Sequence, residues 1–147
     1  MKKIMPPYYF FSGIALEIGL HFLAPIYNFN SSPYHWLGLP IIIIGILMNL
    51  HAKRTVLKNK TSVIPFHEPR ILVKHGLFRY SRNPMYLGML LVLIGGFLLS
   101  GSFGALIVPV LFVIVITIKF IKPEERILEL VFDDDYIHYK KEVGRWI

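Results

Sequence analysis

Apolar positions come in four long blocks, and the polar ones collect between and after them. Tyr8 to Ile26, Tyr34 to Leu50, Pro84 to Ser100 and Phe103 to Ile121 each run 17 to 19 residues. That is close to the roughly 20 residues a helix needs to cross the hydrocarbon layer of a bilayer. The blocks "LPIIIIGILMNL" and "ALIVPVLFVIVITI" are rich in β-branched residues. A bilayer demands backbone groups satisfied within the segment, so helices are expected rather than strands. Pro25, Pro40 and Pro109 are expected to cap or kink their helices. After the fourth block, Pro123-Glu124-Glu125 reads as a helix start, with proline in the first turn and acids at the positive end of the dipole. An amphipathic helix is expected to follow through Ile127, Leu128, Val131 and Phe132, with "DDD" at 133–135 as a solvated turn and "YIHYKKE" as a surface helix with interfacial tyrosines.

The distribution of charge orients this pattern. All sixteen Lys and Arg fall at the N-terminal tip, in the 51–83 connection, or from Lys119 onward. The other two connections, around 27–33 and Gly101, hold none. With four spans those three basic regions share one side, which the positive-inside rule makes the cytoplasm, so both termini are expected there. The net charge of +7 is then explained by topology and by attraction to membrane lipids, and no nucleic-acid partner is expected. Composition agrees: 54% of the 147 residues are hydrophobic and only 17% charged, and the mean hydropathy is +0.55. One integral-membrane, all-α domain over residues 1–147 is expected, with four transmembrane helices, a cytoplasmic loop and a C-terminal amphipathic helix. Cysteine is absent, which removes disulfides, thiolate metal sites and a cysteine nucleophile. The histidines show no metal-ligand spacing, so no metal is expected.

Candidate chemistry gathers in two cytoplasmic segments, 66–88 and 119–147. In "GLFRYSRNPMYLG", Asn83 stands at the N-cap position of the third helix and Pro84 in its first turn. Arg79 and Arg82 beside that helix start favour a carboxylate or phosphate; alternatively they anchor the loop at the membrane surface. Tyr86 and Gly88 lie where a ligand could approach the helix backbone. Glu124 and Glu125 either stabilise a helix dipole or, in the lowered dielectric beside the membrane, bind a cationic ligand. Glu17 and His21 form an i, i+4 pair inside the first span, where ionisable groups are functional candidates or bond each other.

The motif "HGLFRYSRNPMYLG", followed some thirty-five residues later by "PEER…LELVFDDDYIHYKKEVGRWI", resembles the isoprenylcysteine carboxyl methyltransferase and phospholipid N-methyltransferase superfamily. The residues carrying the likeness are Gly76, Phe78, Arg82, Asn83, Pro84, Tyr86, Gly88, Glu124, Glu125, Phe132, Tyr136 and Tyr139, within a core of residues 65–147. The resemblance implies an integral-membrane enzyme that uses S-adenosyl-L-methionine to methylate a lipophilic, membrane-resident carboxylate, thiol or amine. It implies that Arg70, Ile71, Leu72, Val73, Gly76, Phe78, Asn83, Pro84, Met85, Tyr86, Glu124 and Glu125 line the cofactor pocket. Arg82, Glu125 and His75 are the candidate catalytic groups, Glu125 or His75 serving as base if the acceptor is an amine. Phe78 stands where many members carry tyrosine, and Asn83 where prenylcysteine enzymes carry histidine. The latter is similar to a bacterial-type branch, which implies the bacterial cell membrane as the location. Two further readings are a membrane reductase of the sterol-reductase type, binding a nicotinamide dinucleotide, and a small four-span transporter using Glu17.

Overall fold

A computed structural model describes residues 5–23, 33–59 and 70–147. Every element in these residues is helical: α1 (Pro6–Leu23), a 3₁₀ turn (Pro33–Leu37), α2 (Gly38–Lys58), a second 3₁₀ turn (Gly76–Arg79), α3 (Pro84–Ser100), a third (Phe103–Leu106), α4 (Ile107–Ile116), a π-helical turn (Thr117–Ile121), and α5 (Lys122–Glu142). The expected third block and α3 coincide. α2 runs eight residues past the apolar block that ends at Leu50, because "HAKRTVLK" continues as good helix former without a breaker. Pro40 and Pro109 lie in the first turns of α2 and α4, where a missing N–H costs nothing. Pro25 and the 60–69 part of the motif core, with His67, lie outside the described residues.

Among the described residues two helical stretches are long and apolar enough to cross a membrane, Pro33–Lys58 and Phe103–Glu142; Pro84–Ser100 is apolar but shorter. α3 is the central helix, with no fully exposed position along its length. α1, α2 and α4 turn rows of large apolar residues outward, including Phe11, Ile18 and Phe22, then Ile43, Leu47 and Leu50, then Val110, Leu111 and Ile114. An outward apolar surface of that extent belongs in lipid rather than water.

Glycines set how closely α2 and α3 approach. Gly38 and Gly45 are two turns apart on α2; Gly88 and Gly95 are two turns apart on α3. A Cβ on Gly45 would sit 2.6 Å from the Gly88 carbonyl oxygen, and one on Gly95 2.6 Å from that of Gly38. The helices therefore pack backbone to backbone and antiparallel, as small residues permit in membranes. This use of Gly88 replaces the expectation of a ligand against its backbone: α2 occupies that face. On its other side α3 joins α1 and α4 in a core of Tyr86, Leu93, Val108, Phe112, Ile116, Phe120 and Ile121.

The turn expected at "DDD" appears as a bend in α5 at Asp133, whose φ of 42° and ψ of −121° break the helical path. The exposed acid run therefore marks a bend inside a continuing helix. Beyond it, Tyr136, Tyr139 and Val143 form a second small core with Leu72, Leu128 and Phe132. An ion pair between Lys140 and Glu129 bridges the bend.

Candidate functional site

The start of α3 and the start of α5 meet at one end of the bundle. Ser81, fully buried, accepts a hydrogen bond from the Asn83 N–H through its Oγ at 3.1 Å, which shapes the turn before Pro84. Asn83 holds the N-cap position, yet its side chain does not cap the helix. Its Nδ2 donates instead to the Arg145 carbonyl at 3.0 Å, tying the C-terminal segment to this turn. The Arg82 N–H adds a bond to the Gly144 carbonyl at 3.0 Å, and Tyr139 donates its hydroxyl to the Phe78 carbonyl at 2.6 Å. From α2, Asn49 Nδ2 donates to the Met85 carbonyl at 2.9 Å. The first turn of α3 is thus held from three directions.

Two polar constellations sit on this frame. In one, buried Tyr86 donates its hydroxyl to Glu124 Oε1 at 2.9 Å. Burial pushes the Glu124 carboxyl up to about 7, and the Tyr86 bond holds it lower than burial alone would. In the other, Glu125 is gripped by two guanidinium groups. Arg145 Nε donates to Oε1 at 3.0 Å and Nη2 to Oε2 at 2.7 Å, while Arg82 Nη2 lies 3.1 Å from Oε1. Hydrogen bonding to Glu125 raises Arg145 above its usual value. Burial pushes the nearby Tyr136 hydroxyl up, and that of Tyr139 up to about 12, keeping both as donors.

The two arginines outnumber the one carboxylate between them, and Arg82 is not spent. Its side chain is 8% exposed, and its buried Nε and Nη1 have no hydrogen-bond partner. Buried donors left unpaired are uncommon and costly. The position suits an anionic group of a ligand. Arg79, by contrast, is exposed, so the two arginines expected to act together as anchors divide their roles.

The other expected residues distribute as follows. Val73 is buried and Leu72 packs on the Tyr136–Tyr139 core, whereas Arg70 and Ile71 are exposed. Gly76 takes a left-handed φ of 64° that only glycine adopts without strain. His75 is exposed, with Nε2 3.3 Å from Asn59 Nδ2 on α2; the structure does not join it to the acidic pair. Glu125 has both oxygens committed to arginine, an arrangement that holds guanidinium groups in place rather than offering a free base. Three contributors were not anticipated: Asn49, Ser81 and Arg145. Asn49 lies inside an apolar run and Arg145 in a short terminal segment, so neither carried a local signal beyond being polar. Trp146, next to Arg145, packs on the main core and donates from Nε1 to Thr117 Oγ1 in the π-helical turn at 3.3 Å. Among the described residues no group of three or more His, Cys, Asp or Glu is placed to hold a metal ion.

Known proteins resemble this chain in sequence or in fold. A solved eukaryotic intramembrane Ras methyltransferase, isoprenylcysteine carboxyl methyltransferase, superposes with a TM-score of 0.69 over 97% of this chain, at 21% identity. The likeness is one of fold, and this chain spans 50% of that longer chain. An uncharacterized protein of Haemophilus influenzae is 40% identical over 63 residues, covering 43% of this chain and 100% of that protein. Residues 33–135 match the phospholipid methyltransferase family, a stretch that takes in α2, the first turn of α3 with Tyr86, and the Glu124–Glu125 pair. The chain therefore belongs to the phospholipid methyltransferase family.

Proposed function

We propose that the protein is an integral-membrane enzyme that transfers a methyl group from S-adenosyl-L-methionine to a lipophilic acceptor at the cytoplasmic surface. The observation that carries this reading is buried Arg82, with two unpartnered nitrogens, paired to Glu125 in the same first turn of α5 that carries Glu124. These groups fit the cofactor: unpaired guanidinium donors suit its carboxylate, and a buried carboxylate suits its ammonium group. When bound, S-adenosyl-L-methionine supplies an electrophilic methyl group, whose S–C bond breaks as a bond to an acceptor oxygen, sulfur or nitrogen forms.

The chain's own residues bind and orient. Glu125 holds Arg82 and Arg145 in fixed positions, so that Arg82 can present its remaining donors without losing them to solvent. Asn49, through Met85, fixes the turn that carries Asn83, Pro84 and Tyr86. The stretch Arg70 to Val73, with Gly76 and Phe78, supplies the remaining wall. Rate enhancement in such a site comes from proximity and exclusion of water. A carboxylate or thiolate acceptor needs no base; for an amine, the base has to come from elsewhere than Glu125, whose oxygens are both held by arginine.

Four spans, α1, α2, α3 and the Phe103–Ile121 stretch, and a single domain over the whole chain are part of this reading. The contacts support alternating directions. Lys119, at the end of the fourth apolar block, donates to Tyr9 Oη at 3.1 Å near the start of α1, and Asn49 near the end of the second block reaches Met85 at the start of α3. Both pairs bring together ends that the charge pattern assigns to the cytoplasm. The methyl acceptor then enters from the bilayer, and the bacterial cell membrane is the setting.

Calorimetric titration of detergent-purified protein with S-adenosylhomocysteine tests the reading, with NADPH as the comparison. Saturable binding of the adenosyl ligand, weakened at least tenfold in Arg82→Gln and Glu124→Gln, is expected. Heat from NADPH, with none from S-adenosylhomocysteine on folded protein, overturns it in favour of a reductase.

A further inference from the structure

Glu17 is a buried carboxylate that methyl transfer leaves unused, and it lies outside the residues matched by the family. Only 5% of it is exposed. Its Oε2 rests over the bare Cα of Gly96, where any larger residue would displace it. One turn earlier on α1, Gly13 abuts Leu93 and Val108. α1 and α3 therefore run parallel, with Gly13 beside Leu93 and Glu17 beside Gly96. His21, one turn beyond Glu17 on the same face, comes level with the end of α3, after which Ser102 follows. α1 also packs on the Phe103–Leu106 turn that Ser102 opens.

Three atoms in this region are buried without a hydrogen-bond partner: Glu17 Oε1, His21 Nδ1 and Ser102 Oγ. Glu17 and His21 are spaced to bond each other and do not. Every one of the three atoms can accept a hydrogen bond, and one carries formal negative charge. No Lys or Arg lies on α1, on α3 or in the Phe103–Leu106 turn to neutralise it. The one nearby cation on α4's continuation, Lys119, is engaged with Tyr9 at the opposite end of α1. A carboxylate so far from water is stable only when neutralised.

We propose that Glu17, His21 and Ser102 form a binding site for a small monovalent cation inside the helix bundle. Gly96 is ten residues beyond Tyr86 on α3, about 15 Å at 1.5 Å per residue, so the site is separate from the methyl-transfer centre. A primary ammonium matches the three acceptors with three N–H donors; an alkali ion satisfies the same charge. One carboxylate, one imidazole and one hydroxyl are a poor set for a transition metal, which prefers more nitrogen or sulfur ligands.

The test is thermal unfolding of the full chain in detergent above pH 8, followed by tryptophan fluorescence. Sodium chloride or methylammonium chloride replaces choline chloride at fixed ionic strength. For wild type, Tm is expected to rise by roughly 3–5 °C for each tenfold excess of the bound cation over its Kd. Glu17→Gln, nearly isosteric, is expected to abolish the rise. Ser102→Ala is expected to move it to several-fold higher concentration, and it carries the test if Glu17→Gln does not fold. A response to methylammonium alone identifies an ammonium group such as a lipid amine; a response to sodium identifies an alkali ion. Equal melting of wild type in all three salts, or an unchanged rise in both variants, overturns the proposal and leaves a bridging water as occupant.

Discussion

Removing one hydroxyl, in Tyr86→Phe, should move the pH at which the cofactor product binds. Glu124 is held near 7 against an ordinary value of 4.5, chiefly by burial, and the Tyr86 hydroxyl is the group that opposes the shift. If the ligand's ammonium group requires ionised Glu124, wild-type affinity for S-adenosylhomocysteine falls about tenfold between pH 8 and pH 6, with its midpoint near 7. A hydrogen bond to a charged group contributes about 1.5–3 kcal/mol, equivalent to about 1–2 pH units. Tyr86→Phe should therefore raise the midpoint by roughly that amount, toward 8 or above, while Glu124→Gln should bind weakly and without this pH dependence. The same linkage appears in stability. The folded protein keeps the Glu124 proton that the unfolded chain releases near 4.5, so the contribution of this group to stability is full below that value and is lost as pH rises to about 7. The 2.5-unit difference corresponds to about 3 kcal/mol. Calorimetry from pH 5.5 to 8.5 on the three proteins reads the binding effect directly. A flat wild-type profile, or a midpoint that moves down in Tyr86→Phe, would refute the role assigned to Glu124.

Other outcomes follow from the same contacts. Gly45→Leu should destabilise by more than about 2 kcal/mol, because its Cβ would overlap the Gly88 carbonyl, whereas Gly19→Ala, with open space around it, should leave the melting temperature nearly unchanged. Glu125→Ala leaves buried Arg82 without its counter-charge and should cost about 3–5 kcal/mol in thermal or denaturant unfolding. Asn49→Leu removes the bond to the Met85 carbonyl; about 1 kcal/mol of stability and a weaker binding constant for S-adenosylhomocysteine are expected.

Much of this arrangement was legible in the chain because it depends on local signals. The Asn83-Pro84 pair marked the start of α3, and Gly101, with its left-handed φ of 61°, closes that helix just after the apolar run ends. Hydrophobicity outlined the apolar blocks. The meeting of Tyr86 with Glu124 is a contact across 38 positions, anticipated as a shared pocket only through the resemblance. What stayed hidden depends on tertiary partners. Arg145 reads as one more terminal basic residue until Glu125 faces it. Asn83 looks like a helix cap until the Arg145 carbonyl claims its amide. The glycine pairs were visible as residues, but their spacing of two turns acquires meaning only when α2 lies antiparallel on α3. The bend at Asp133 has a compositional hint in three successive aspartates, and the helix expected over "YIHYKKE" follows it, with Tyr136 and Tyr139 buried rather than interfacial.

Methyl transfer itself provides the most direct test. Membranes containing the wild-type protein, incubated with S-adenosyl-L-methionine labelled in its methyl group, should transfer label into organic-extractable material. Arg82→Gln, expressed to the same level and still folded, should reduce the transfer at least a hundredfold. Label that stays wholly with the cofactor across lipid, prenyl-thiol and prenyl-carboxylate acceptors, or incorporation equal in wild type and Arg82→Gln, would contradict the account.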